Sequence, residues 1–274
     1  MDFGDIKYCA IGHVCMDKVG EKNYIPGGSV AYASLLAHKL GCKVSIKTSY
    51  GPDFPFVSIF DDIEIGNSGS ERTTIFCNDY NHEVRRQFLL QEAEKIQVDS
   101  DLLDFNEFDI VHFCPIADEF SARLISMVSS KVFKLVTPQG WLRKKNQDMS
   151  ISSKSMDWSM LAHADIVVMS REDLEDQNIF HQLVTSRVKC LAVTMGNDGV
   201  RVYSKKNIKH YPAIPSKPVD TTGAGDIFST ALALAYYTSG NLDKSVEYAQ
   251  KLASDSVRYR GLDFITNLDT FRYE

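Results

Sequence analysis

The sequence predicts an α/β protein whose strands form a doubly wound, mostly parallel sheet. Short apolar segments rich in β-branched residues alternate along the chain with segments of helical spacing. The chain opens with a strand over 6–12, a helix over 28–40 that ends at Gly41, and a strand over 43–48. With 274 residues, 44% of them hydrophobic, it has the size and apolar content of one large domain. We therefore expect a single domain over 1–274.

The same alternation continues through the middle and the end of the chain. Apolar runs predict strands over 109–114, 132–137, 165–169, 190–194, 200–203 and 208–211. The last two of these strands are expected to pair with each other. Helical spacing predicts helices over 119–129, 171–186, 225–238 and 242–259. Strands that alternate with helices favour parallel pairing, with helices covering both faces of the sheet.

Residues 63–92 depart from this pattern. The segment is polar and rich in Thr, Asn, Ser and charged residues. Alternating pieces over 73–77 and 83–89 predict two strands joined by a turn at 78–81. A hairpin with one solvent-exposed face fits this composition better than a buried core element does. We expect residues 63–92 to form a small β lid.

Composition limits the partners and the compartment. The net charge is −6 and the isoelectric point about 5.7, which argues against nucleic-acid and anionic-membrane partners. The six cysteines are scattered without a CxxC pair, which argues against a zinc site or a disulfide framework. The first residues carry no cationic signal-like region, and the longest apolar run is too short to span a bilayer. We expect a soluble protein of a reducing cytoplasm.

The most informative motif is the string VDTTGAGDIF at residues 219–228, which precedes an apolar helix. Gly223 and Gly225 carry no side chains, so that several backbone N–H groups can point at one spot. Together with the positive end of the helix, they predict a binding site for an anion. Asp226 in the first turn is placed to take a proton from an attacking hydroxyl. The motif therefore predicts phosphoryl transfer to an alcohol. The alternative is an ordinary helix start, with Thr222 or Asp226 as a cap.

The full string resembles the signature of the PfkB (ribokinase-like) sugar kinase family, whose last aspartate is the catalytic base. The resemblance implies a three-layer α/β/α domain with a β lid, and ATP and Mg²⁺ as cofactors. It assigns the base to Asp226 and charge stabilisation to the N–H groups of Gly223, Ala224 and Gly225. The chain has no GxxxxGK[ST] loop, and no GxGxxG follows its first strand, so P-loop kinases and dinucleotide dehydrogenases are excluded.

Three further motifs are candidates for substrate binding. Gly27 and Gly28 match the family's Gly-Gly pair, which contacts the sugar, and Asp17 matches an aspartate that binds substrate hydroxyls. Arg143 ends the string TPQGWLR, which resembles inositol-specific and nucleoside-specific members. For the glycines the alternative is a plain turn, for Asp17 a solvated loop residue, and for Arg143 a surface arginine.

The substrate class stays open among several small molecules. Many sugar-specific members carry asparagine where this chain has Tyr32, a departure that favours inositol or a nucleoside over free ribose. A phosphorylated sugar is a further alternative, because Arg72, Arg85 and Arg86 of the expected lid carry charges that suit a phosphate.

The metal candidates are Ser170 and Asp173, which stand where the family carries Asn-x-x-Glu near Mg²⁺. Both side chains offer oxygen ligands, which Mg²⁺ requires. The local alternative needs no metal, because a serine at the N-cap with an acidic residue three positions later forms a capping pair.

The nucleotide candidates lie in three places. Thr194, Gly196 and Gly199 form the string TMGNDG, which resembles the family's nucleotide-binding turn, although a plain β-turn is the alternative. Thr222 of the 219–228 string is a further candidate contact to ATP. Ser254 stands where relatives wall the adenine pocket or bind a monovalent cation such as K⁺ through carbonyls.

We expect an ATP-dependent kinase that transfers the γ-phosphate to a hydroxyl of a small inositol, nucleoside or sugar. The alternative is a ligand-binding or regulatory protein on a kinase fold, because the Mg²⁺ motif is altered. Lids in this family often pair, so that a homodimer through the lid is plausible.

Overall fold

A nine-stranded sheet forms the centre of the molecule. The computed structural model describes residues 1–79, 86–98, 104–173, 188–204 and 207–268. In these ranges the strands are β1 Lys7–Ile11, β2 Cys15–Val19, β3 Asn23–Gly27, β4 Lys43–Thr48, β5 Glu64–Asn67, β6 Thr74–Asp79, β7 Arg86–Gln91, β8 Ile110–Phe113, β9 Phe133–Val136, β10 Arg143–Lys145, β11 Ile151–Ser153, β12 Ile166–Ser170, β13 Cys190–Thr194, β14 Val200–Ser204 and β15 Ile208–Tyr211. The helices are α1 Ser29–Lys39, α2 Leu124–Met127, α3 Ala224–Ser239, α4 Leu242–Ser256 and α5 Asp263–Thr266.

The large sheet has the order β15-β14-β13-β12-β9-β8-β1-β4-β5. Strands from β13 to β5 pair in parallel, and β14 and β15 add an antiparallel edge. The central strand β1 is buried along four of its five residues, as parallel strands covered on both faces must be. The predicted doubly wound, mostly parallel sheet is confirmed.

Helices cover one face of the sheet through an extended apolar core. Leu36 of α1, Ala231 of α3 and Val246 of α4 pack there against Ile166 and Val168 of β12. The opposite face carries a second core that includes Phe113, Leu124 and Trp141. Catalytic candidates at the start of α3 therefore sit on a helix that is buried along most of its length. Among the described helices, none combines the length and the apolar character needed to cross a membrane.

A second, four-stranded sheet has the order β3-β2-β6-β7 and is called the small sheet below. The expected lid over 63–92 was wrong in its boundaries. Residues 64–67 join the large sheet beside β4, and half of the small sheet comes from 15–27. This pairing joins β2 to a strand more than fifty residues away, and local alternation carries no signal for it.

Several other elements differ from the expected bounds. The helix expected over 119–129 is reduced to the single turn of α2. A short 3₁₀ turn, Arg171–Asp173, opens the helix expected over 171–186, whose remainder lies outside the described residues. Parts of the turns expected at 78–81 and at 205–207 also lie outside them. The hairpin of β10 and β11 was missed, because its strands have three residues each.

Two buried polar side chains join the two sheets below the candidate site. The Glu119 carboxylate accepts hydrogen bonds from the backbone N–H groups of His13, Ile116 and Ala117 at 2.7–3.0 Å. The ring of His13 bonds to the Thr74 hydroxyl of β6 at 2.9 Å and to a backbone carbonyl at 2.9 Å. Because these groups are fully buried and partnered, they fix the position of the small sheet on the large one.

Candidate active site

The helix α3 begins at a sharp turn that only glycine suits. Gly223 has a φ of 77°, and the Tyr32 ring of α1 lies directly against its Cα. A side chain at this position would be both strained and in collision with the ring. The N–H of Ala224 donates to the Thr221 carbonyl at 3.3 Å, a long bond. A Cβ on Gly225 would meet open space, so this face of the turn is accessible.

Asp226 lies in the first turn of α3 and is partly buried. Burial raises the pKa of its carboxyl from 3.8 to about 6. A hydrogen bond from the Ser29 side chain and the charge of Arg143 lower this pKa, and the charges of Asp173 and Asp17 raise it. These four side chains therefore set the charge environment of the carboxylate. A carboxyl with a pKa near neutrality is suited to accept a proton in the working pH range.

The glycine pair brings β2 and β3 close together beside this carboxylate. Asp17 lies within β2 rather than in a loop after β1, and its carboxylate is packed against the Cα of Gly27. Gly28 has a φ of 94°, and a Cβ there would lie 2.6 Å from the carbonyl oxygen of His13. Gly28 therefore requires glycine for close backbone approach, whereas a side chain at Gly27 would displace the Asp17 carboxylate. The Cys15 thiol lies on the same side, and burial together with the charge of Asp17 raises its pKa.

Arg143, at the start of β10, lies beside the small sheet. Its guanidinium carbon is 5.9 Å from the centre of the Phe76 ring, on β6. Its charge also lowers the pKa of Asp226 and of Cys15. The side chain is partly buried, unlike the neighbouring Lys144 and Lys145, which are exposed.

The metal candidates form the local capping pair. The Asp173 carboxylate accepts from the N–H of Ser170 at 3.0 Å, and the Ser170 hydroxyl accepts from the N–H of Glu172 at 3.2 Å. Asp173 nevertheless lies near enough to Asp226 to raise its pKa. Among the described residues, no three His, Cys, Asp or Glu side chains are grouped to hold a metal ion. The oxygen donors here suit Mg²⁺ held mostly through water.

The nucleotide candidates lie at the ends of neighbouring strands. Thr194 ends β13 directly beside Ser170 of β12, and its hydroxyl donates to the Met169 carbonyl at 3.3 Å. Gly196 has a φ of 56° with open space around its Cα. Gly199 has a φ of 88° and is packed tightly against the backbone at the end of β15. This backbone geometry explains why glycine stands there without requiring a role in nucleotide binding.

The remaining candidates lie where the 219–223 loop meets the end of α4. The Asp220 carboxylate accepts from the N–H of Thr222 at 2.9 Å and from the N–H of Gly261 at 3.0 Å. Ser254 donates to the Ile214 carbonyl at 3.2 Å. These bonds hold the loop in place, and the monovalent cation expected near Ser254 stays a prediction.

Sequence reasoning missed two residues of this site and one contact. Ser29 and Cys15 contact or face the central carboxylates. Tyr32 was considered only for the substrate class, and the support that its ring gives to the turn at Gly223 was not expected. Ser29 directly follows the glycine pair, which is the only local signal for it. Cys15 resembled an ordinary buried cysteine, because its strand was not expected.

The doubly wound sheet with its small second sheet is the fold of the ribokinase-like kinases. Residues 14–267 match the pfkB family carbohydrate kinases. The chain belongs to this family of carbohydrate kinases. The predicted family and its three-layer fold are therefore confirmed.

Similar proteins cover nearly the whole chain. A nucleoside kinase of Methanocaldococcus jannaschii is 24% identical over 97% of this chain and 94% of its own length. A pyrophosphate-dependent kinase of the ribokinase family, solved with a pyrophosphate analogue and myo-inositol, superimposes with a TM-score of 0.80 at 24% identity. That match covers 93% of this chain and 96% of the other. Arabidopsis thaliana ribokinase, solved with ribose and ATP, superimposes with a TM-score of 0.70 at 19% identity over 94% of each chain.

Replacing Gly223 by alanine is expected to lower the free energy of unfolding by about 2 kcal/mol or more, because of the left-handed backbone and the Tyr32 ring. Gly225→Ala is the matched control, since nothing lies within 4 Å of a Cβ there. It is expected to stay within about 1 kcal/mol of the wild type. Chemical denaturation measures both, and equal losses in the two variants would contradict this account.

Proposed function

We propose that this chain transfers a phosphoryl group from ATP to a hydroxyl of a small, uncharged polyol. The observation that carries the proposal is the partly buried carboxylate of Asp226, whose pKa is raised to about 6 at the start of an apolar helix. A solvated cap would keep a pKa near 3.8 and would be a poor proton acceptor for an alcohol.

Asp226 accepts the proton of the attacking hydroxyl in this proposal. Asp17 binds neighbouring hydroxyls of the acceptor from β2, and Gly27 and Gly28 keep the backbone close to it. The helix start at Gly223 and Gly225 faces the negative charge that develops on the transferring group. The small sheet, which carries Asp17, excludes water from the reacting atoms.

Arg143 has two chemical roles open to it. Its guanidinium neutralises negative charge near Asp226, and its planar donors suit a phosphate oxygen or a pair of substrate hydroxyls. Because it stacks on Phe76 of the small sheet, its position follows that of the sheet. We assign it to the acceptor side.

Mg²⁺ would be held through water by Ser170 and Asp173, and it would neutralise charge on the phosphates. Thr194 and Gly196 lie beside this turn and are assigned to the donor phosphates, together with Thr222 and Gly199. Ser254 is assigned to the wall of the donor site.

Pyrophosphate is the second candidate donor. The observation in its favour is the TM-score of 0.80 with a pyrophosphate-dependent kinase, over 96% of that chain. The donor is therefore a variable in the assay below. Acceptors that carry a phosphate are disfavoured, because Asp17 and Asp226 place two negative charges in the site. Arg72, Arg85 and Arg86 were considered as partners for such a phosphate, and Arg85 lies outside the described residues.

The direct test is product release across a panel of inositols, nucleosides, sugars and sugar phosphates, with ATP and with pyrophosphate. Asp226→Asn is expected to lower kcat by about a hundredfold or more, because the general base is lost. Asp62→Asn, at an exposed surface carboxylate, is the control for loss of charge and is expected to keep wild-type turnover. If the wild type releases no product with any member of the panel, the non-catalytic binding protein is favoured. If Asp226→Asn turns over normally, the assignment of Asp226 as the general base is wrong.

The metal assignment has its own test. Asp173→Asn is expected to raise the Mg²⁺ concentration that gives half-maximal activity about tenfold, because one carboxylate charge near the ion is lost. Glu172→Gln is the matched control at the adjacent exposed position. A magnesium dependence that is the same in both variants would contradict the assignment.

A further inference from the structure

Four hydrogen-bonded side chains, called the buried network below, link neighbouring strands of the large sheet to the helix α3. The Tyr8 hydroxyl, on β1, is 2.7 Å from Nδ1 of His112 on β8. Nε2 of the same imidazole is 3.0 Å from the hydroxyl of Thr137, which directly follows β9. On the other side, the Tyr8 oxygen makes a long contact of 3.5 Å to the hydroxyl of Thr230, on α3. Three of these side chains are fully buried, and Thr137 is 8% exposed.

The buried network carries no charge into the core. Burial lowers the pKa of His112 to about 3 and raises the pKa of the Tyr8 phenol well above its ordinary value, so both groups are neutral. A neutral imidazole donates from one ring nitrogen and accepts at the other, and a hydroxyl does both. Every member therefore keeps a partner, whichever way the hydrogen bonds run. Such contacts are directional, in contrast to the apolar packing around them.

Apolar packing constrains the rotation of α3 only weakly. Residues 227–235 are all buried, so this stretch has no exposed polar face that would set one orientation. Three of the nine are alanines, whose side chains end at Cβ and give a smooth surface. The Ser229 hydroxyl donates to the Asp226 carbonyl of its own helix. Thr230 instead gives α3 a directional contact with the sheet, at Tyr8.

This contact lies close to the proposed general base. Thr230 follows Asp226 by four residues, and residues with this spacing share one side of a helix. A rotation or an axial shift of α3 at Thr230 therefore moves the Asp226 carboxyl as well. Catalysis is sensitive to such movements, since a misplacement of about 1 Å can lower the rate about a hundredfold.

The other end of the buried network leads to Arg143. Thr137 precedes a 3₁₀ turn, and Arg143 directly follows that turn. The N–H of Gly140, within the turn, donates to the Pro115 carbonyl at 2.8 Å. A Cβ on Gly140 would lie 2.4 Å from the Pro115 carbonyl carbon, so the turn is packed closely on the loop after β8. The network therefore joins the segment that carries Arg143 to the helix that carries Asp226.

We propose that Tyr8 and His112 are positioning residues, which hold α3 and the turn before Arg143 in the relative placement that phosphoryl transfer requires. The inference rests on the proposed function, in which Asp226 is the general base. Both rings are fully buried, so they act through the elements that they join rather than by contact with substrate. An apolar pair of similar shape would fill the same volume but would lack the directional contacts.

The first test compares Tyr8→Phe with Tyr211→Phe, two variants that each remove the hydroxyl of a buried ring. Tyr211 ends β15, and its hydroxyl donates to the Asp243 carboxylate of α4. Both variants are expected to melt at a lower temperature than the wild type, because each breaks a side-chain hydrogen bond. In Tyr8→Phe, kcat is expected to fall about tenfold while both KM values stay unchanged. Tyr211→Phe is expected to keep the wild-type kcat.

The second test changes the buried network without altering a ring. Thr137→Val removes the hydroxyl and is expected to lower kcat about tenfold. Thr137→Ser keeps a hydroxyl and is expected to retain the wild-type kcat. Tyr8→Phe and Thr137→Val combined are expected to lower kcat little further than either alone, because both act on one network. Fully additive losses would contradict a single positioning unit.

The outcomes separate this inference from the proposed function. If Tyr8→Phe and Thr137→Val melt at lower temperatures but keep the wild-type kcat, the network is only structural and the inference alone is overturned. Equal losses of kcat in Tyr8→Phe and Tyr211→Phe would show a general effect of lower stability and would also overturn it. If the wild type turns over no acceptor, or if Asp226→Asn turns over normally, the proposed function fails and the inference fails with it.

Discussion

Asp226 lies in the first turn of α3, and the nine residues that follow it in the helix are all buried. Its own side chain is partly buried, so that its charge is only partly in contact with water. Burial of a carboxylate is unfavourable unless donors and cations are placed around it. Here Ser29 donates to it and Arg143 supplies the opposite charge, while Asp17 and Asp173 add to the repulsion. The arrangement leaves a carboxyl with a pKa near 6 in place of one at 3.8.

The parts of this arrangement come from distant regions of the chain. Residues 15–29 supply Asp17, the glycine pair and Ser29, and the start of β10 supplies Arg143. The buried contacts of Glu119 and His13 hold the small sheet where it faces the helix start. A shift of the small sheet would therefore change the charge environment of Asp226 as well as the space for a substrate.

The pattern of strands and helices was readable from sequence because parallel strands are buried on both faces and alternate with helices. β4 and β13 agree with their predicted bounds, and Asp226 was found from its own motif. Half of the small sheet was readable, since the strands expected over 73–77 and 83–89 fall on β6 and β7. The other half was not, since β2 and β3 were not expected as strands and β2 pairs with β6 across more than fifty residues. The hairpin of β10 and β11 was not readable, because strands of three residues carry too little alternation for a pattern.

Site residues were predictable where they belong to one short motif, because neighbours in sequence are then also neighbours in space. Gly223 and Asp226 belong to one turn and were found together, whereas Ser29 depends on the packing of α1 against α3. Asp17 was proposed from the family resemblance, with a solvated loop residue as the alternative, and it lies within β2 against Gly27. Side-chain partnerships between distant segments are set by tertiary packing, which a single sequence does not record.

The central claim is that Asp226 is held ionised against a burial penalty, and the pH dependence of unfolding tests it most directly. The measurement is the free energy of unfolding of the wild type minus that of Asp226→Asn, from pH 4 to pH 8. Because the folded-state pKa is raised from 3.8 to about 6, the folded state binds more protons than the unfolded state between these values.

The wild type is therefore expected to lose about 1–3 kcal/mol relative to Asp226→Asn as the pH rises from about 4 to about 6, with a constant difference above that. A difference that stays flat from pH 4 to pH 8, or that falls on acidification, would contradict the account.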